Sequence, residues 1–224
     1  MSSSYQNYQK ARDASWQCLI DHGVSKLPIS ISELLRAEGI PFGCYCDNRM
    51  QLRKNGLFKL MENDGFTLMD GAGKQRVYFN ELLPPPRCRF TLAHELGHIY
   101  LGHLRMPEPG CSTVTVLNRE PHPFDDPWET EANIFASRLL APACVLKELG
   151  LNTPEEIAAL CGISLTAARF RAERMEKLNE REHTRFAAGK RSCFYLSPLE
   201  QQVSAQFSEF IQAVLASRRP NGQH

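Results

Sequence analysis

Arg89-Phe90-Thr91-Leu92-Ala93-His94-Glu95-Leu96-Gly97-His98 sets three polar groups inside an apolar run. Read as a helix at about 100° per residue, it places His94 and His98 one turn apart on a single face. Two imidazoles so placed reach one ion at about 2.0–2.1 Å. Glu95 stands beside that face, near enough to touch a metal-bound water without replacing it. Zinc lowers the pKa of such a water to about 7, and a carboxylate can then take its proton. The competing reading is a surface helix that holds His, Glu and His by chance. Phe90, Leu92, Leu96, Ile99 and Leu101 surround the motif, and polar groups inside a buried helix are costly unless something pairs them. The context therefore favours a metal, one zinc ion per chain. Gly97 lets another backbone or a substrate approach the helix closely.

A catalytic zinc keeps three protein ligands and leaves a position for water. His103 follows His98 by five residues, and on a continued helix it points about half a turn away from His94. A capping or loop role after Gly102 suits it at least as well. The better third ligand lies in Trp128-Glu129-Thr130-Glu131-Ala132-Asn133. On a helical wheel Trp128, Ala132, Phe135, Ala136 and Leu139 form an inner face. Glu129 falls within that stripe and Glu131 lies about 100° from its centre. An acid on a core face calls for a cation, so Glu129 is the expected ligand, with Glu131 next. A capping-box partnership between Glu129 and Asp126 is the alternative. Asn133, one turn beyond Glu129, is placed to hold a ligand histidine from outside the metal's own ligands.

Outward from these blocks, the 224 residues suffice for one domain or for a domain with an appendage. The formal net charge of +1 gives no overall field for nucleic acid or an anionic membrane. The polar N-terminus is no secretory signal, and no run reaches the roughly 18 apolar residues a span requires. The expectation is a soluble cytoplasmic protein with no membrane partner and reduced thiols. Cys44-Tyr45-Cys46 reads as two side chains on one face of a strand.

Residues 5–39 read as two helices, broken at His22-Gly23. A strand-like stretch spans Ile40–Cys46 and a polar loop follows. Phe66–Asp70 and Arg76–Phe79 form a hairpin around Gly71-Ala72-Gly73-Lys74. Pro84–Pro86 stiffen the approach to the histidine helix. Residues 107–127 read as a loop over the site, and Trp128–Ala141 as a helix stopped before Pro142.

Beyond Gly150, Thr153-Pro154-Glu155-Glu156 supplies a cap, a proline at the first helical position and a capping-box glutamate. A short helix, a turn at Cys161-Gly162 and a longer helix towards Glu182 have helix-turn-helix length. A last helix runs from Ser197-Pro198 to near Ser217. Arg169, Arg171, Arg174, Lys177 and Arg181 on the longer helix would suit DNA. They alternate with Glu173, Glu176, Glu180 and Glu182, as on a salt-bridged solvated face. With no basic excess, the balance is against DNA as a partner.

The histidine block, Leu101-Gly102-His103, and Glu129-x-x-Ala132-Asn133-x-Phe135-Ala136-x-x-Leu139-Leu140-x-Pro142 together resemble the ImmA/IrrE metallopeptidases. The resemblance covers roughly residues 5–190, strongly at the blocks. It implies a gluzincin-like α+β peptidase fold, with two histidines and the downstream glutamate on zinc and the motif glutamate as base. Those roles fall on His94, His98, Glu129 and Glu95. Some relatives cleave a helix-turn-helix repressor in the cytoplasm.

The fold expected is α+β: a zincin-like core with a small mixed or antiparallel sheet and active-site helices over 1–147. A helical, helix-turn-helix-like segment follows at 148–190, and a C-terminal helix and tail at 191–224. The function expected is a cytoplasmic zinc endopeptidase acting on a protein, a helix-turn-helix repressor being one such substrate. In it Glu95 deprotonates the attacking water and passes the proton to the leaving amine. A substrate strand would add to the edge of the 66–79 hairpin. The alternative is a non-catalytic regulator that binds DNA or a repressor through its C-terminal helices, with a structural zinc. Tyr100, His103, His122 and Arg138 are the candidates for stabilising the oxyanion.

Overall fold

Helix α1 (Ser3–Asp21) ends at the expected His22-Gly23 break. Helix α2 (Ile31–Ala37) starts where the Ser30 hydroxyl accepts from Glu33 N, satisfying one of the amides a first turn leaves unpaired. These come from a computed structural model that describes residues 3–104, 115–116, 126–190, 194 and 197–218.

Strand β1 (Phe42–Cys44) is shorter than the stretch read over Ile40–Cys46, because the chain turns at once into helix α3 (Tyr45–Lys54). That helix occupies what the sequence suggests is a polar loop. Its cap comes from far along the chain: the Glu81 carboxylate accepts from Tyr45 N and Cys46 N, each at 3.1 Å. Cys44 and Cys46 therefore do not share a strand face. Cys44 stands at the helix N-cap, and Cys46 is exposed in its first turn.

After a 3-10 turn at Phe58–Glu62 comes the expected hairpin, β2 (Gly65–Met69) and β3 (Gln75–Phe79), paired antiparallel with Phe66 opposite Tyr78. Asp70 Oδ1 closes its turn by accepting from Ala72 N and Lys74 N. All five residues of β2 are buried, so both of its faces are covered. Side chains alternate along a strand. Phe66 and Leu68 join Tyr45, Leu52 and Tyr78 in one apolar cluster. Gly65 and Thr67 point the other way, towards the histidine helix.

That helix, α4 (Pro85–Tyr100), begins four residues before the Arg89 start, with Pro85 and Pro86 in its first turn. A first-turn proline loses no intrahelical hydrogen bond. Thr91 to His98 are buried without a break, as expected of a helix covered on all sides. Strand β4 (Thr115–Val116) pairs antiparallel with Leu68 and Met69, while β1 runs parallel to β3. The four-stranded sheet has the order β1-β3-β2-β4. The loop read over 107–127 lies mostly outside the described residues. Helix α5 (Pro127–Leu140) matches the expected helix to within a residue, and Asp126 Oδ1 accepts from Trp128 N at its start.

The chain divides into two compact units: Met1–Ala14 with Ser30–Ala136, and Ser15–Ile29 with Ser137–His224. The boundaries drawn at 147/148 and 190/191 both fall within the second. That unit is helical in its described residues. Helix α6 (Ala143–Glu148) precedes α7 (Pro154–Cys161) and α8 (Leu165–Ala187), the latter pair packed on each other. The Thr153 hydroxyl accepts from Glu156 N and the Ser164 hydroxyl from Ala167 N, as their spacing predicts. The last helix is divided at buried Phe207 into α9 (Pro198–Gln206) and α10 (Ser208–Ser217). Among the described residues no helix is long and apolar enough to cross a membrane.

Candidate metal centre

Gly97 and Phe135 explain how two helices meet closely enough to share an ion. A methyl group at Gly97 would lie 3.0–3.2 Å from three atoms of the fully buried Phe135 side chain. The α5 ring therefore sits directly on the α4 backbone. A backbone or a substrate is the neighbour the sequence suggests at Gly97; the structure places this side chain there instead.

From that seat Glu129, in the first turn of α5, reaches back to the histidines. His94 Nε2 and His98 Nε2 lie 3.0 Å apart. Glu129 Oε2 is 3.1 Å from the first and Oε1 is 3.2 Å from the second. Ligand atoms about 2.0–2.1 Å from one tetrahedral ion are spaced roughly 3.3–3.4 Å from each other. The three donors are thus gathered at nearly the spacing one small divalent cation imposes, and the group could hold a metal ion. The alternative expectation pairs Glu129 with Asp126 in a capping box; its carboxylate is turned to the two histidines. The Asp126 side chain caps through Trp128 N.

The outer ring nitrogens are also occupied. His94 Nδ1 lies 2.9 Å from Asn133 Oδ1, the contact expected from the helical spacing of Asn133. A proton on Nδ1 then donates to the amide oxygen and leaves the Nε2 lone pair facing inward. His98 Nδ1 lies 3.0 Å from His103 Nδ1, and His103 Nε2 lies 3.1 Å from Glu131 Oε2. Lys10 Nζ approaches the same carboxylate oxygen at 3.4 Å. His103 is buried and its ring stacks on Trp128, with 5.6 Å between centroids. Burial lowers the His103 pKa from its usual value, partly opposed by its hydrogen bond to Glu131.

Gly102 produces this return. Helix α4 stops at Tyr100, and Gly102 takes φ +68°, where any other residue is strained. His103 N then bonds to His98 O and Gly102 N to Ile99 O, the paired closure of a left-handed helix end. His103 does not continue the helix away from the site but folds back beneath His98. Glu131, expected off the inner face, is 5% exposed because this histidine receives it.

Glu95 is 2% exposed, and the Thr67 hydroxyl donates to its Oε2 at 2.8 Å. No spacing in the sequence marks Thr67, which arrives from β2. Of the oxyanion candidates, Tyr100 turns its hydroxyl to Glu38 and its ring to Phe135. His103 is committed to His98 and Glu131. Arg138 falls in the second unit, where it donates to Ser137 Oγ at 3.0 Å. His122 lies outside the described residues. Arg171, counted with the α8 cations, is 4% exposed and part of that unit's interior.

A mixed α+β chain with His, Glu and His on one buried helix and a third donor on the next has the ligand set of the His-Glu-x-x-His type, a group that could hold a metal ion. The family model described as Peptidase M78, IrrE N-terminal-like domain, matches residues 52–173. This is more than half of the chain, and the chain belongs to the ImmA/IrrE family, which is one of metallopeptidases. Among curated proteins none matches it.

Proposed function

We propose that this chain is a zinc-dependent endopeptidase of the cytoplasm that cleaves a regulatory protein, such as a helix-turn-helix repressor. The observation that carries the reading is the convergence of His94 Nε2, His98 Nε2 and a Glu129 carboxylate oxygen, with a buried carboxylate one residue along from His94. Three donors from nitrogen and oxygen suit zinc and leave a fourth position for substrate and water. When bound there, zinc supplies Lewis acidity towards water and a peptide carbonyl.

The chain's own residues do the rest. Glu95 takes a proton from the attacking water and returns it to the leaving amine, while Thr67 holds its carboxylate in place. Asn133 keeps the His94 ring turned inward. Among the described residues a substrate strand has limited edge to use: β1 flanks β3, and β4 covers β2 at Leu68 and Met69. The stretch Gly65–Thr67, next to Glu95, is where pairing suits the chemistry. A structural zinc would have no use for an adjacent base. The interior position of Arg171 further weakens a DNA-reading role for α8.

Co-expression with a helix-turn-helix repressor encoded beside this chain tests the reading. The wild type should shorten the repressor, and His94→Ala should leave it whole. An intact repressor, together with no new termini in a peptide library exposed to the zinc-loaded protein, would refute it.

A further inference from the structure

The two histidines of the site are supported unequally. His94 meets the neutral amide of Asn133. His98 meets a second imidazole, which in turn meets a carboxylate in the interior. Resting on the reading of His94, His98 and Glu129 as metal ligands, we propose that His103 and Glu131 are positioning residues. They form a relay that fixes the His98 ring for the metal and links its basicity to a buried carboxylate.

The hydrogen-bond directions allow one consistent arrangement. With Nε2 facing the metal, His98 carries its proton on Nδ1, and that N–H donates to His103 Nδ1. His103 must then carry its own proton on Nε2, which donates to Glu131 Oε2. A carboxylate receiving the last proton strengthens each preceding donor, and the effect is largest where water is excluded. His98, His103 and Glu131 are all 5% exposed or less. Trp128 stacks on His103 and limits its rotation. Lys10 approaches Glu131 with a side chain that is 56% exposed, at a longer 3.4 Å. Such a pair contributes little, so the relay ends functionally at Glu131.

The test is metal affinity, measured with Co2+ by its visible absorption and then with Zn2+ by competition against a chelator. Unfolding of each metal-free variant is followed in parallel. Loss of a ligand's supporting partner typically weakens metal binding about 10–100-fold, and His103→Ala should fall in that range. His103→Gln presents one acceptor and one donor, and should recover much of the loss. Glu131→Gln should cost several-fold alone and nothing further in the His103→Ala background, because it acts through His103. Lys10→Met should stay within about twofold.

A merely structural role predicts instead that Glu131→Gln costs the same in both backgrounds. That result, or wild-type affinity in a folded His103→Ala, overturns the relay. If His103→Ala does not fold, His103→Gln with and without Glu131→Gln decides. Equal, additive losses there count against the relay, and a smaller loss in the His103→Gln background supports it. Failure of the wild type itself to bind either metal would overturn the metal centre, and the relay with it.

Discussion

Thr67 is the residue through which the sheet touches the chemistry. Its hydroxyl is fully buried and donates to one oxygen of a carboxylate that is itself out of water. Thr67→Val keeps the shape and removes the donor. Hydrogen bonds to charged groups are among the stronger ones, and an unsatisfied buried acceptor is costly. Peptide turnover should fall about tenfold or more, with metal content unchanged, because no ligand is disturbed. Steady-state rates beside elemental analysis check this. Wild-type turnover, or loss of the metal, would contradict the role given to Thr67. At this scale the sequence is legible wherever helical period alone does the placing: His94 with His98, and Glu129 with Asn133. It is silent where tertiary contact does the placing. Thr67 is an unremarkable strand residue until β2 lies on α4. The wheel alone sets Glu131 off the inner face, since the wheel has no term for a histidine returning from the next loop.

Helices and strands are brought together here by what glycine lacks. A methyl at Gly65 would come within 2.4 Å of Thr91 Cγ2 and 2.9 Å of the Tyr78 carbonyl oxygen. No real packing tolerates those distances, and the second neighbour is backbone. Gly65→Ala should therefore part β2 from α4, costing about 1–3 kcal/mol of stability, and draw Thr67 away from Glu95. Gly71, in the hairpin turn, has nothing within 4 Å of the same added atom, and Gly71→Ala should change little. Thermal unfolding of the two variants gives the comparison, and equal midpoints would contradict the packing described. Element boundaries are legible where the caps are local, as at Thr153 and Ser164. Helix α3 is not legible in the sequence, because Glu81, 36 residues beyond Tyr45, supplies its cap. The start of α4 at Pro85 is not legible in the sequence, because three prolines signal rigidity as readily as a helical first turn.

For the whole molecule, the family match and the two compact units divide the questions unequally. Every residue assigned to metal, base and relay belongs to the unit formed by Met1–Ala14 and Ser30–Ala136. The helical remainder carries none of them. The balanced charge over the chain gives no overall field that would draw a polyanion. Central to the account is the separation of metal holding, by His94, His98 and Glu129, from proton transfer by Glu95. One preparation of Glu95→Gln measures both. Its amide keeps the size of the side chain and an acceptor for the Thr67 hydroxyl, but cannot take a proton from water. Zinc content should equal that measured for the wild type, while cleavage of the repressor or of library peptides falls by about 10²–10⁴-fold. Cleavage at the wild-type rate by the zinc-loaded variant would contradict the account.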